Sequence, residues 1–167
     1  EHTAEHRVKS LRGAIAVRDL KPGYRIAAAR LGGCFGQKTL PKARLILTAC
    51  LVGDGSCGVN GNFSVTSECR KVWRTCRRLG QQFQNSPVRV YDKPGDKTKA
   101  VNFSYAATSL LRRWLEDDGL WGCYSWEKQL PDWVFSLCRK DSRTFIEWLW
   151  ATDGSIKPKN TVTYTST

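Results

Sequence analysis

One short pattern occurs twice in this chain and limits what it can fold into. Residues 47–56 read Leu-Thr-Ala-Cys-Leu-Val-Gly-Asp-Gly-Ser, and residues 146–155 read Ile-Glu-Trp-Leu-Trp-Ala-Thr-Asp-Gly-Ser. Each is a mostly apolar run that ends in Asp-Gly-Ser, and Asp54 and Asp153 lie 99 positions apart (153 − 54). An apolar run of this length reads as a buried helix, and the glycines after it as its end. A helix that presents a carboxylate at its last turn, twice, implies a pseudo-symmetric protein in which two acids meet at one metal site.

The composition allows a buried interior: 41% of residues are hydrophobic and seven are Trp, which argues against general disorder. Lys and Arg number 27 against 15 Asp and Glu, a net charge of +12. Such an excess favours a polyanionic partner, nucleic acid before an anionic membrane surface. No apolar run approaches the roughly 20 residues of a spanning helix, and Glu1-His2-Thr3-Ala4-Glu5-His6 lacks the apolar core of a signal peptide. The seven cysteines are odd in number, none is paired as Cys-x-x-Cys, and both histidines precede residue 7. This pattern argues against zinc and for reduced, space-filling thiols in a cytoplasmic chain.

Along the chain, residues 1–36 read as short strands with a turn at Asp19-Leu20-Lys21-Pro22-Gly23. A helix is expected from Thr39, as N-cap, to Leu51 or Val52. The alternation of residues 62–66 predicts a half-buried strand. Glu68 to Leu79 predicts a second helix, with Val72, Trp73, Cys76 and Leu79 on one face and Gly80 as C-cap. Residues 88–92 and 99–105 flank Pro94-Gly95 as a hairpin would, and Ala106 to Leu115 is expected to be helical. Helices are then expected over 131–137 and 144–151, and a strand over 161–165. Helix, Asp-Gly-Ser, strand thus occurs twice.

These residues resemble the LAGLIDADG homing endonucleases in the form found inside inteins. The likeness rests on Leu47–Gly55, on Leu149–Ile156, and on Glu127–Phe135, similar to the block that precedes the second motif in that family. Thr3-Ala4-Glu5-His6 is similar to the Thr-x-x-His block of an intein's splicing half, and residues 19–26 to the Leu-x-Pro-Gly stretch after it. The resemblance implies an α+β chain in three parts. Residues 1–36 would be a short all-β remnant of the splicing (Hint) region. Residues 37–118 would form an αββαββα half, and residues 119–167 the start of a second, pseudo-symmetric half. Trp148 departs from the small residue usual at its place, and the intein's nucleophile and terminal His-Asn blocks are missing from the sequence.

The implied activity is metal-dependent cleavage of double-stranded DNA, with Asp54 and Asp153 holding magnesium and Lys128 stabilising phosphate charge or the attacking water. Carboxylates with magnesium suit phosphodiester chemistry, because the ion takes oxygen ligands and keeps several waters. Strands after each Asp motif would form a saddle in the major groove. Asn62, Ser64 and Thr66 would read bases there, with Arg89, Lys97 and Lys99 on phosphates. Arg74, Arg77 and Arg78 read as a solvated helix face. Thr3 and His6, which assist the first acyl shift in a complete intein, would be remnants. Two alternatives go with this reading: a cleavage-inactive DNA-binding module of the same fold, and a split-intein fragment acting in splicing only. The chain would need a complementary fragment to complete its second half.

Overall fold

The computed structural model describes residues 7–10, 13–25, 35–59, 63–83, 88–92, 95, 97–104, 106–157 and 161–164. The chain divides into two compact units, Glu1–Cys34 and Phe35–Thr167. In the first, β1 (Arg7–Ser10) and β2 (Gly13–Ala16) form an antiparallel hairpin followed by a 3-10 turn at Val17–Asp19.

The second unit is α+β. Its elements run α1 (Lys42–Val52), β3 (Gly55–Cys57), β4 (Phe63–Ser67), α2 (Arg70–Gln81), β5 (Arg89–Asp92), β6 (Lys99–Asn102) and α3 (Leu110–Asp117). Two 3-10 turns, Ser125–Glu127 and Asp132–Ser136, lead to α4 (Arg139–Asp153), β7 (Gly154–Lys157) and β8 (Thr161–Tyr164). The four central strands make one antiparallel sheet in the order β3-β4-β6-β5, and β7 pairs antiparallel with β8.

α1 is the central helix. Seven consecutive residues, Leu45 to Leu51, are buried, as a helix apolar on every side must be. It packs most extensively on α4, and also on α2, α3 and the sheet. α2 lays Val72, Cys76 and Leu79 against the sheet face that carries Phe63, Val65, Val101 and Phe103.

Several boundaries differ from the sequence reading for local reasons. α1 takes Pro41 as N-cap rather than Thr39, and the free amide before it, Leu40 N–H, donates 3.0 Å to Asp141 Oδ2 instead. α3 begins four residues later than expected, because Ser109 Oγ caps it by accepting from Arg112 N–H. Gly80 lies within α2 and does not end it; a Cβ there would run into the ring of Phe103. The stretch before α4 is a 3-10 turn, and α4 itself is one continuous helix of 15 residues. β3 and β7 are short strands that start directly at Gly55 and Gly154, where only turns were expected.

Candidate functional site: paired helix ends and a polar sheet face

α1 and α4 are tied together at both ends. Near their starts, Lys38 and Leu137 form a parallel bridge: Lys38 N–H donates 3.0 Å to Ser136 C=O, and Cys138 N–H donates 2.8 Å to Lys38 C=O. At their ends, Gly53 lies against Thr152 and Asp153, so closely that a Cβ on Gly53 would overlap Thr152 Oγ1 and stand 3.0 Å from Asp153 Oδ2. Lys38 and Leu137 are 99 positions apart (137 − 38), the same offset as Asp54 and Asp153. The two segments therefore run side by side in one register, and that register brings the two aspartates to the same end of the helix pair.

The glycines here answer to space, not to left-handed backbone. Neither has a positive φ: Gly53 has φ −71° and Gly154 φ −85°. Gly53 is needed because α4 touches it. A Cβ on Gly55 would press on the backbone of Leu51, and one on Gly154 on the ring of Trp150.

Lys128 fixes the turn that holds Asp54. Its Nζ donates 2.9 Å to the C=O of Leu51 and 2.6 Å to the C=O of Gly55, which flank Asp54 on either side. Leu51 C=O belongs to the last turn of α1, whose carbonyls have no partner within the helix. An ammonium is well suited there, since it meets both the free carbonyls and the negative end of the helix dipole.

The charges at this end oppose one another. Asp54 has its pKa raised above 3.8, first by loss of water around it, then by the nearby Asp153, with Lys128 pulling it the other way. Asp54 is nevertheless exposed, so its carboxylate sits at a rim that solvent and a ligand can reach. Cys57, buried behind the same turn, is pushed up to about 11 by burial, again opposed by Lys128. Among the described residues, no group of three His, Cys, Asp or Glu side chains gathers as a metal cluster.

The strand register defines a second surface. Ser56, Ser64, Asn102 and Arg89 stand opposite one another across β3-β4-β6-β5, and Thr66, Ala100 and Tyr91 form the next row on the same face. Cross-strand partners share a face, and this face is the one turned away from the helices. Arg89 is exposed and hydrogen-bonds Tyr91; Thr66 and Asn102 are half-buried, and Ser64 is only 4% exposed. Lys99 falls on the opposite parity and pairs with Asp92. Lys97 is exposed in the turn before β6. Thr3, His6 and Asn62 lie outside the described residues.

Sequence reasoning did not find Ser56, Asn102 or Tyr91 on this face. Their signal was present in the alternation of 88–92 and 99–105, but alternation gives parity only; the register that aligns one strand with the next comes from the pairing.

No protein-family model matches the chain. It is similar to the replicative DNA helicase DnaB of Rhodothermus marinus, 30% identical over 162 residues, covering 93% of this chain and 17% of that protein. It is also 26% identical over 163 residues to the replicative DNA helicase DnaB of Nostoc sp., again 93% of this chain and 18% of the relative. The chain thus spans about a sixth of the length of the curated relatives it matches.

These names correct the expectation of an intein-embedded LAGLIDADG homing endonuclease, and with it the expected DNA hydrolase activity. Both relatives are named as replicative helicases. Their likeness runs along 93% of this chain. Helix-ending Asp-Gly turns have structural causes, as the steric role of Gly53 illustrates, and do not by themselves specify a reaction.

Proposed function

We propose that this chain is a DNA-contacting module of a DnaB-type replicative helicase polypeptide, acting in the cytoplasm on double-stranded DNA. In this reading Asp54 and Asp153 share a magnesium ion beside the bound phosphates. The observation that carries it is the common end of α1 and α4, where two carboxylates are held close enough for one to raise the other's pKa. A cation relieves that repulsion. Two carboxylates with retained waters are a usual magnesium set, so a third protein ligand is unnecessary. Magnesium would supply positive charge to a DNA phosphate, while Lys128 holds the Asp54 turn in place.

The polar sheet face supports the DNA reading: Thr66 and Asn102 can meet base edges, and Arg89 and Lys97 can meet phosphates, while Ser64, 4% exposed between its neighbours on that face, is too buried to reach a base. Asn62 would join them from the turn before β4. The fold reading is an αββαββα half over 37–118 with a second half beginning in 119–167, supported by the shared offset of 99 (153 − 54).

The test is binding of a labelled DNA duplex by fluorescence anisotropy, with magnesium and with a chelator. Magnesium should tighten binding, and the double variant Asp54→Asn, Asp153→Asn should lose that gain while still binding. Absence of duplex binding, a magnesium gain that survives in the variant, or magnesium-dependent strand cleavage would each overturn the proposal.

A further inference from the structure

The outer face of α2 bears a stripe that the sheet-face reading does not use. Arg70, Arg74, Arg77, Arg78 and Gln81 fall at i, i+4, i+7, i+8 and i+11, one side of a helix. All five are exposed. α2 has its Val72, Cys76 and Leu79 side on the sheet, so the stripe lies on the far side of the unit from the polar sheet face.

Like charges at i,i+4 oppose a helix, and here they recur as Arg70–Arg74 and Arg74–Arg78. Among the described residues, no carboxylate lies within ion-pair distance of Arg74, Arg77 or Arg78; the ion pair from this helix, Lys71 to Glu147 at 3.7 Å, lies off the stripe. The stripe borders a groove of about 570 Å³ lined by Trp73, Arg74, Arg77, Arg78, Gln81 and Gln82. Trp73 is half-buried and its ring stands 5.5 Å from the Arg74 guanidinium. Several cations, an indole face and two amides in one open groove have a specific complement: an anionic backbone with free aromatic faces beside it.

We infer that this groove binds single-stranded nucleic acid, with phosphates on Arg77 and Arg78, a base stacked against the Trp73–Arg74 pair, and the Gln82 amide on a base edge, while Gln81 Oε1 is held by Val88 N–H at 2.9 Å. A duplex offers the same phosphates but keeps its base faces stacked within the helix, so Trp73 would have nothing to meet. A single strand uses both parts of the groove.

The test is anisotropy of labelled oligothymidylate with the full chain over a salt series. The variant Arg74→Ala, Arg77→Ala, Arg78→Ala changes only exposed side chains, and circular dichroism would check its fold. It should lower the slope of log affinity against log salt by about 1.4, for the two phosphate contacts of Arg77 and Arg78 at roughly 0.7 each. Trp73→Leu should weaken binding roughly tenfold, a loss typical of one stacked base. Arg113→Ala, an exposed basic residue of α3 outside both DNA surfaces, should leave oligothymidylate binding unchanged. An unchanged slope in the triple variant overturns the inference. So does an equal loss from Arg113→Ala, or a duplex that competes for the groove as well as the single strand does.

Discussion

Gly53 and Thr152 are in contact where α1 and α4 end, and no side chain fits between them: a Cβ on Gly53 would overlap Thr152 Oγ1 and lie 2.9 Å from Thr152 Cβ. That contact sets how near Asp54 and Asp153 can come. Gly53→Ala should therefore push the helix ends apart and destabilise the fold by about 1–3 kcal/mol, as overpacking does. Urea unfolding would measure it. Adding Thr152→Ala removes the overlapping oxygen but leaves the Cβ, so the double variant should recover part of the loss. Strict additivity of the two changes would contradict the contact.

The Asp54 carboxylate should weaken the metal-free fold at neutral pH. Its folded pKa is raised above the ordinary 3.8 by partial burial and by Asp153, so the folded state holds its proton more tightly than the unfolded chain does. Stability from this group therefore falls as pH rises from about 3.8 through the raised folded value. Asp54→Asn should be more stable than the parent at pH 7 without magnesium, and the difference should shrink on acidification below about pH 4. Thermal melts across pH would show this, and a variant less stable at pH 7 would reverse the sign of the argument.

Lys128 should act through the turn it holds. Lys128→Met removes two charged hydrogen bonds, to Leu51 C=O and Gly55 C=O, and should lower stability by about 2 kcal/mol. It also removes the charge that opposes the rise in the Asp54 and Cys57 pKa values, so an NMR titration of Asp54 should move further up. An unchanged Asp54 titration would leave Lys128 with a packing role only.

How much of this was legible beforehand depends on the range of each interaction. The helices α1 and α2 could be read because their signals are local: an apolar run closed by Gly53, and an apolar stripe with arginines elsewhere. The approach of Asp54 to Asp153 was legible because the pattern occurs twice. The two hydrogen bonds from Lys128 were not, since they join residues 73 and 77 positions apart and no local spacing encodes them. Nor was the Asp141 carboxylate that receives Leu40 N–H, or the continuity of α4 back to Arg139. The activity was the weakest inference, because short motifs at helix ends are shared by proteins with different tasks.

A buried ion pair beneath the α1–α3 contact should prove costly to break. Arg44 donates 2.7 Å to Asp118 Oδ1, which also accepts from Trp133 Nε1 at 2.8 Å, and the guanidinium lies 5.7 Å from both the Trp114 and Trp133 rings. The Asp118 side chain is 3% exposed. Asp118→Ala leaves Arg44 between two aromatic rings with no counter-charge, and should cost about 3 kcal/mol. Replacing both, as Arg44→Met with Asp118→Ala, should cost less than the single change, since the stranded charge is gone.

Arg89 and Lys99 should differ in their share of duplex binding, although both are basic residues on neighbouring strands. Register puts Arg89 on the polar face in line with Asn102 and Ser64, while Lys99 has the opposite parity and is engaged by Asp92. A phosphate contact at Arg89 releases counterions, so Arg89→Ala should reduce the salt slope of duplex binding by about 0.9. Lys99→Ala should change it by far less, because its charge is already partly balanced and points away from that face. Equal slopes for the two variants would mean that DNA does not lie across the Ser56-Ser64-Asn102-Arg89 row.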